Sequence, residues 1–208
     1  MIRSVNINDL KDVALIHKKC FSEHFASHLC IDKDCEILQR FYLELYELNP
    51  DYFIVTEENN TINGFCVGYR MSRNDFMERF IKKNKIKVAL NTLRLLVSCD
   101  KVAWKKVKNF FIKSSRPVFE VINHEYDYIP EVETADLLSI CVLPEHRGKG
   151  YAKRLIEEYL KILKDSGMKL CLLSVENKNS SAVNLYIKAG FIPYRKMGEE
   201  GMTYMRLL

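Results

Sequence analysis

The residues of this chain whose types and spacing suit chemistry gather in one short run, Arg147-Gly148-Lys149-Gly150-Tyr151-Ala152. Its glycines give the backbone dihedrals that other residues avoid and let a ligand approach the main chain. An amphipathic stretch follows at once, so the run opens a helix. The leading amides of that helix have no partner inside it, and with the helix dipole they favour an anion, most simply a phosphate or pyrophosphate. Arg147, Lys149, Lys153 and Arg154 add positive charge at the same point. The run is neither the GxxxxGKS/T of a P-loop nor a dinucleotide GxGxxG. Other reactive types are scattered. The five histidines (17, 24, 28, 124, 146) show no metal spacing; His24 and His28 are four apart but lack a third ligand. His146 is expected to face solvent. The seven cysteines (20, 30, 35, 66, 99, 141, 171) form no CxxC, and their odd number argues against a full disulfide framework. No metal is expected.

A buried strand over 138–143 must deliver the chain to this loop, and a helix must carry it away. Ala152, Leu155, Ile156, Tyr159, Leu160 and Leu163 form the apolar stripe of that helix, and Gly167 ends it. A strand over 169–176 follows, then a short helix capped by Ser180 or Ser181 and closed by Gly190. Strands over 191–196 and 202–208 are joined by a turn at 198–201 and read as an antiparallel pair. Upstream, residues 2–5 suit a short strand. Asn8 or Asp9 can cap a helix to about Phe21, with Leu10, Val13, Ala14, Ile16 and His17 on one face. A second helix fits 34–48 and stops at Asn49-Pro50. Strands over 52–57 and 62–71 flank Asn59-Asn60-Thr61 as a hairpin, with Gly64 and Gly68 marking bulges or close packing. Residues 74–113 are long, basic and helical in composition, with Phe76, Phe80, Trp104, Val107, Phe110 and Phe111 among their apolar positions. They read as two or three inserted helices. Residues 117–127 return to extended structure.

With these residues in view, the sequence resembles the GNAT superfamily of acetyl-CoA-dependent N-acetyltransferases. Arg147-x-x-Gly150-x-Ala152 after a strand ending Val142-x-Pro144 is similar to its cofactor signature. Asn179-x-x-Ala182-x-x-Leu185-Tyr186 followed by Ala189-Gly190-Phe191 is similar to its later strand and helix. The close resemblance covers roughly the C-terminal third. It implies a mixed α/β fold, a twisted sheet of about six to seven strands flanked by helices, with residues 74–113 as an extra helical insert in a single domain over 1–208. It also implies acetyl-CoA as cosubstrate. Ile140, Cys141 and Val142 would pair with the pantetheine arm through their backbone. Arg147, Gly148, Lys149, Gly150, Tyr151, Ala152 and Lys153 would take the pyrophosphate. Tyr186 matches the tyrosine that protonates the departing thiolate. Asn179 matches an asparagine that contacts the cofactor, and reads equally as a turn residue.

The general base is not fixed by the resemblance. Relatives that acetylate protein N-termini carry a glutamate where this chain has Ser174. Glu176, two residues on and on the same strand face, is one candidate. Glu133 and Asp136, before the signature strand, are others. A water chain could replace all three.

The chain has 208 residues, a net charge of +5 and 48% hydrophobic residues, ordinary for one soluble domain. No apolar run is long enough to span a bilayer and no signal peptide is visible, so a cytoplasmic location is expected. Charge is uneven. Residues 71–116 carry 13 Lys/Arg against 3 Asp/Glu, whereas 117–136 carry 6 Asp/Glu and no Lys/Arg. A solvated helix face is the simplest reading of the basic segment. A face for an anionic substrate is the sharper one, and nucleic acid is not expected as a partner because no RNA motif accompanies the charge. The function expected is acetyl transfer to a primary amine, of a small molecule such as an amino sugar. The alternatives are a protein N-terminal or lysine acetyltransferase, a non-catalytic acyl-CoA-binding module, and a peripheral membrane protein anchored by the basic helices. Homodimerisation is left open.

Overall fold

The computed structural model describes residues 1–22, 27, 30, 32–70, 73–97, 119–125 and 127–208. Among them the strands are β1 (Ile2–Ser4), β2 (Phe53–Glu58), β3 (Thr61–Tyr69), β4 (Phe119–Val121), β5 (Thr134–Val142), β6 (Leu170–Glu176), β7 (Ile192–Met197) and β8 (Gly201–Leu207). They form one sheet in the order β1-β2-β3-β5-β6-β8-β7-β4. Neighbours are antiparallel except β5 and β6, which are parallel. This is the mixed α/β architecture expected. The count reaches eight because β4, three residues long, adds itself to the outer edge of β7.

The helices are α1 (Leu10–Cys20), α2 (Glu36–Leu48), α3 (Arg73–Val97), α4 (Tyr151–Asp165) and α5 (Ser180–Lys188). No helix among the described residues is long and apolar enough to cross a membrane. Alternation along β2 and β3 assigns the two faces of the sheet. Ile54 and Cys66 join Leu155, Ile156, Tyr159 and Leu163 of α4 in one core. Phe53, Val55, Phe65 and Val67 join Val13 and Ile16 of α1 and Tyr42 and Leu45 of α2 in the other. Both faces are covered, so these strands read as nearly continuous apolar runs.

The caps refine the expected boundaries. Asp9 holds the N-cap position of α1, as expected, but makes no side-chain cap there; the side-chain cap comes one turn earlier, where Asn6 caps a 3-10 turn at Ile7–Asp9 and the Asp9 carboxylate accepts the Asn6 N–H at 2.7 Å. The second helix begins at Glu36, whose N–H is taken by the Asp32 carboxylate at 2.9 Å. Asn59 and Asn60 both have positive φ (50° and 58°), the pairing a two-residue hairpin turn requires. Asn179, not Ser180 or Ser181, caps α5.

The insert is helical over Arg73–Val97 and kinked at Asn84. There the side-chain amide donates to the Phe80 carbonyl at 3.0 Å, a side-chain bond to the helix's own ladder that bends it. Phe76 and Phe80 pack edge-on against Phe41 of α2. Buried Glu44 of α2 accepts from Arg79 and from Lys83 (2.7 Å), and Lys87 pairs with Glu36. Trp104, Val107, Phe110 and Phe111, with the rest of the expected insert, lie outside the described residues, as do His24 and His28.

Candidate functional site

The site is made by two strands that part. β5 and β6 pair only over Thr134–Leu137 and Leu170–Leu173. Beyond that point β5 stays bonded to β3 as far as Val142, and β6 stays bonded to β8 as far as Glu176. A bulge in β5 at Leu138, opposite the Val67–Gly68 step of β3, sits at the parting point, and a bulge bends and twists the strand that carries it. Gly68 is obligatory there. A Cβ would overlap the Tyr159 hydroxyl and the Asp136 carbonyl, which hydrogen-bond each other at 3.1 Å. Gly64 has the same character, because its Cβ would press on the Cys141 carbonyl.

Between the parted strands lies an open cleft of about 1190 Å³, larger than the usual volume for one small ligand and suited to two substrates. Its β5 wall offers Leu138, Ser139, Ile140, Cys141 and Val142, and its far wall Ser174, Val175 and Glu176. The strand edge over 138–142 has no β6 partner, so its main-chain groups on that side are open to an extended, amide-bearing ligand.

The loop closes one end. Gly148 and Gly150 take φ of 76° and 79°, a region that costs other residues strain. Gly150 caps α4 without a side-chain bond, and the first turn of α4 has no acidic residue. Among the described residues no carboxylate caps its leading amides, an arrangement that favours an anion. Arg147 braces the loop by donating Nε to the Val142 carbonyl at 3.1 Å. Glu58, the last residue of β2, braces it from outside. It pairs with His146 at 3.2 Å and Lys149 at 4.0 Å. A hydrogen bond from Tyr151, then the charge of Lys149 and the proximity of His146, hold its carboxyl below the usual range. His146 is accordingly partly covered rather than solvent-facing, and Lys149 turns toward Glu58. Of the eleven residues read from the sequence as cofactor-binding, Lys149 is the one that does not line the cleft.

Tyr186 of α5 also lines it, 7% exposed and edge-on to Phe191. Burial pushes its phenol pKa well up, so the hydroxyl is protonated at neutral pH and able to donate. Asn179 serves the turn by accepting the Ala182 N–H at 3.2 Å, and it lines the cleft as well.

The three carboxylates read as candidate bases separate. Glu176 lines the cleft on the same strand face as Ser174, and pairs with Lys178 at 2.9 Å. Ser174, where some relatives carry a glutamate, shares a hydrogen bond of 3.1 Å with Thr203. Glu133 pairs with Lys169 at 2.7 Å at the far end of β5. That end is roughly 30 Å of extended strand from Val142. Asp136 lies in the stretch where β5 and β6 are still paired. Neither Glu133 nor Asp136 lines the cleft.

The sequence reading missed Cys20 and Phe21 at the end of α1, and Met197 and Glu200 at the β7–β8 turn, all of which line the cleft. Cys20 Sγ lies 3.5 Å from the Val142 carbonyl. A hydrogen bond from Cys141, then the guanidinium of Arg147 and the charge of Lys19, outweigh desolvation and bring its thiol down to about 7. Nothing in the sequence marked this residue beyond its place at the end of an amphipathic helix.

Residues 118–191 match the model of the acetyltransferase (GNAT) family. An L-amino acid N-acyltransferase, MnaT of Escherichia coli (strain K12), is 27% identical over 70 residues. That alignment covers 34% of this chain and 41% of the relative. Among solved structures, SsHAT superposes with a TM-score of 0.61 at 18% identity, covering 100% of this chain and 97% of that one. A PaiA N-acetyltransferase from Thermoplasma acidophilum, solved in complex with coenzyme A, superposes at 0.56 with 17% identity, covering 100% and 98%.

Proposed function

We propose that this chain, whose residues 118–191 match the acetyltransferase (GNAT) family, transfers an acetyl group from acetyl-CoA directly to the primary amine of a small molecule. The parting of β5 from β6 beside an uncapped helix N-terminus carries the reading. The residues present fit the cosubstrate: amides and cations for a pyrophosphate, and an unpaired strand edge for an arm that carries amides of its own. Acetyl-CoA supplies an acyl group activated as a thioester.

The chain's own groups do the rest. The amides of Gly150, Tyr151 and Ala152, with Arg147 and Lys153, hold the anion. The edge over Ile140–Val142 aligns the arm and offers an amide toward the developing oxyanion, an interaction worth roughly 3 kcal/mol where it is well aimed. Tyr186 holds a proton ready for the departing thiolate. Glu176, at the cleft wall, is placed to take the proton that the amine gives up, directly or through water.

The small acceptor finds support in the relative named as an L-amino acid N-acyltransferase. Ser174 in place of a glutamate weighs against a protein N-terminus. Among the described cations of the insert, the amino-sugar version rests on exposed Lys82, Lys85 and Arg94, because Arg79, Lys83 and Lys87 are engaged by carboxylates of α2. Tyr186 inside the cleft weighs against a non-catalytic module. A screen of the purified protein against pools of amino acids, amino sugars and peptides, following release of the CoA thiol, tests the proposal. Acetyl-CoA-dependent release with a small amine is the expected result. Stabilisation by acetyl-CoA with no release in any pool would leave the binding module in its place.

A further inference from the structure

Two thiols meet in the wall of the cleft. α1 ends at Cys20, half-buried, where the helix crosses the end of β5. Its Sγ approaches the Val142 carbonyl that Arg147 also engages, and Cys141, the residue before Val142, belongs to the apolar cluster against which Cys20 packs and lines the same cleft. The two members differ. Cys20 ionises near neutrality although a helix C-terminus disfavours an anion. Burial holds Cys141 well above the ordinary thiol value. One thiol is thus an accessible nucleophile and the other a protonated partner beneath it, the division of labour that thiol–disulfide exchange uses. Cys66 and Cys171 are fully enclosed by the sheet and α4. Cys30 and Cys35 are buried between α1, α2 and α3.

We propose that Cys20 and Cys141 form a covalent modification site in the cleft wall, taking a low-molecular-weight disulfide as co-reactant. The Cys20 thiolate attacks one sulfur of R–S–S–R. A Cys20–S–S–R bond forms and RS⁻ leaves. The Cys141 thiol gives its proton to that thiolate and attacks the Cys20 sulfur, closing Cys20–Cys141 and expelling the second RS⁻, which takes its proton from solvent. Two protein thiols are oxidised and one small disulfide is reduced to two thiols. The bridge ties α1 to β5 beside Arg147, and the intermediate fills the cleft. Loss of acetyl transfer as the consequence rests on the cleft being the acetyl-CoA site.

The test uses the full chain with glutathione disulfide, read by intact mass and by peptide mapping without reductant. The wild type should lose the mass of two hydrogens and yield linked Cys20 and Cys141 peptides. Cys141→Ala should stop with glutathione on Cys20, and Cys20→Ser should leave Cys141 reduced. Linkage of Cys30 to Cys35 ahead of this pair, a wild type that retains glutathione on Cys20, or unaltered reactivity of Cys20→Ser would overturn the proposal. Acetyl-CoA should slow the reaction at Cys20. If the bridge forms while acetyl-CoA neither protects nor stabilises the protein, the pair stands and the cofactor reading falls.

Discussion

On the β5–β6–α4 side the site is built from main chain: a strand edge without a neighbour, two glycines at positive φ and a helix start with no carboxylate on it. On the α1–α2–α3 side the organisation is made by side chains from distant parts of the sequence. Lys83 reaches Glu44 across 39 positions and Cys20 reaches the Val142 carbonyl across 122. A main-chain site depends on where side chains are small or absent, and it leaves a local trace of glycines and spacing. A side-chain site depends on which helix faces which, and each partner looks like any surface or core residue of its type.

This contrast can be broken at its main-chain half first. Gly150→Glu puts a side chain where φ is 79° and a negative charge at the loop mouth. A ligand that binds only the folded state raises the melting temperature by mass action, and this variant should lose the acetyl-CoA shift entirely. An undiminished shift in the folded variant would remove the loop from the site.

Tyr186→Phe keeps the ring and removes one oxygen. The kcat should fall roughly 10- to 1000-fold, near the range of general-acid assistance, with little change in acetyl-CoA affinity. The loss should shrink for acyl donors with more acidic thiols. A wild-type kcat would assign Tyr186 to packing.

Gly68→Ala addresses the bend itself. The added methyl displaces Tyr159 from Asp136, an overpacking that costs about 3 kcal/mol. For a chain of this size that lowers the melting temperature by roughly 6–12 °C. Thermal denaturation decides, and a shift of a degree or less would show that β3 slides aside at no cost.

The side-chain half calls for finer tests. Charge reversal at exposed Lys82 and Lys85 should raise the acceptor KM a few-fold if α3 borders the acceptor, with cofactor affinity constant. Reversal of Lys83 should lower stability instead, since it sits opposite Glu44 and Glu47. Steady-state kinetics beside thermal melts separate the two. Cys20 adds a pH signature. Because its pKa is depressed, the thiolate predominates above about pH 7 and is lost below it. Its alkylation rate should rise through that pH, ahead of the other thiols among the described residues. The groups facing it are Cys141, Arg147 and Lys19, and Arg147→Gln should move the midpoint upward.

Much of this was legible in the sequence, for local reasons. The strand, loop and helix from Thr134 to Asp165 are specified by contiguous residues, as is the stop at Gly167. The close approach at Gly64 and Gly68 was also visible in residue type. What lay beyond reach depends on tertiary context. The extended run over 117–127 was legible, but the pairing of its residues Phe119–Val121 with the free edge of β7 was not. The capping of α5 by Asn179 depends on a side chain folding back on Ala182. Lys149 faces away from the cleft because a hairpin 91 positions earlier presents Glu58. Cys20 acquires its character from residues more than 120 positions away.

Glu58 changes what the loop is before any anion arrives. It acts as a resident counter-ion, so the mouth of the site is less positive than its lysines and arginines suggest. Long-range attraction is correspondingly small. Selection falls to donors that act only at contact, the fixed amides of the helix start, whose grip mobile salt screens far less than it screens exposed charge.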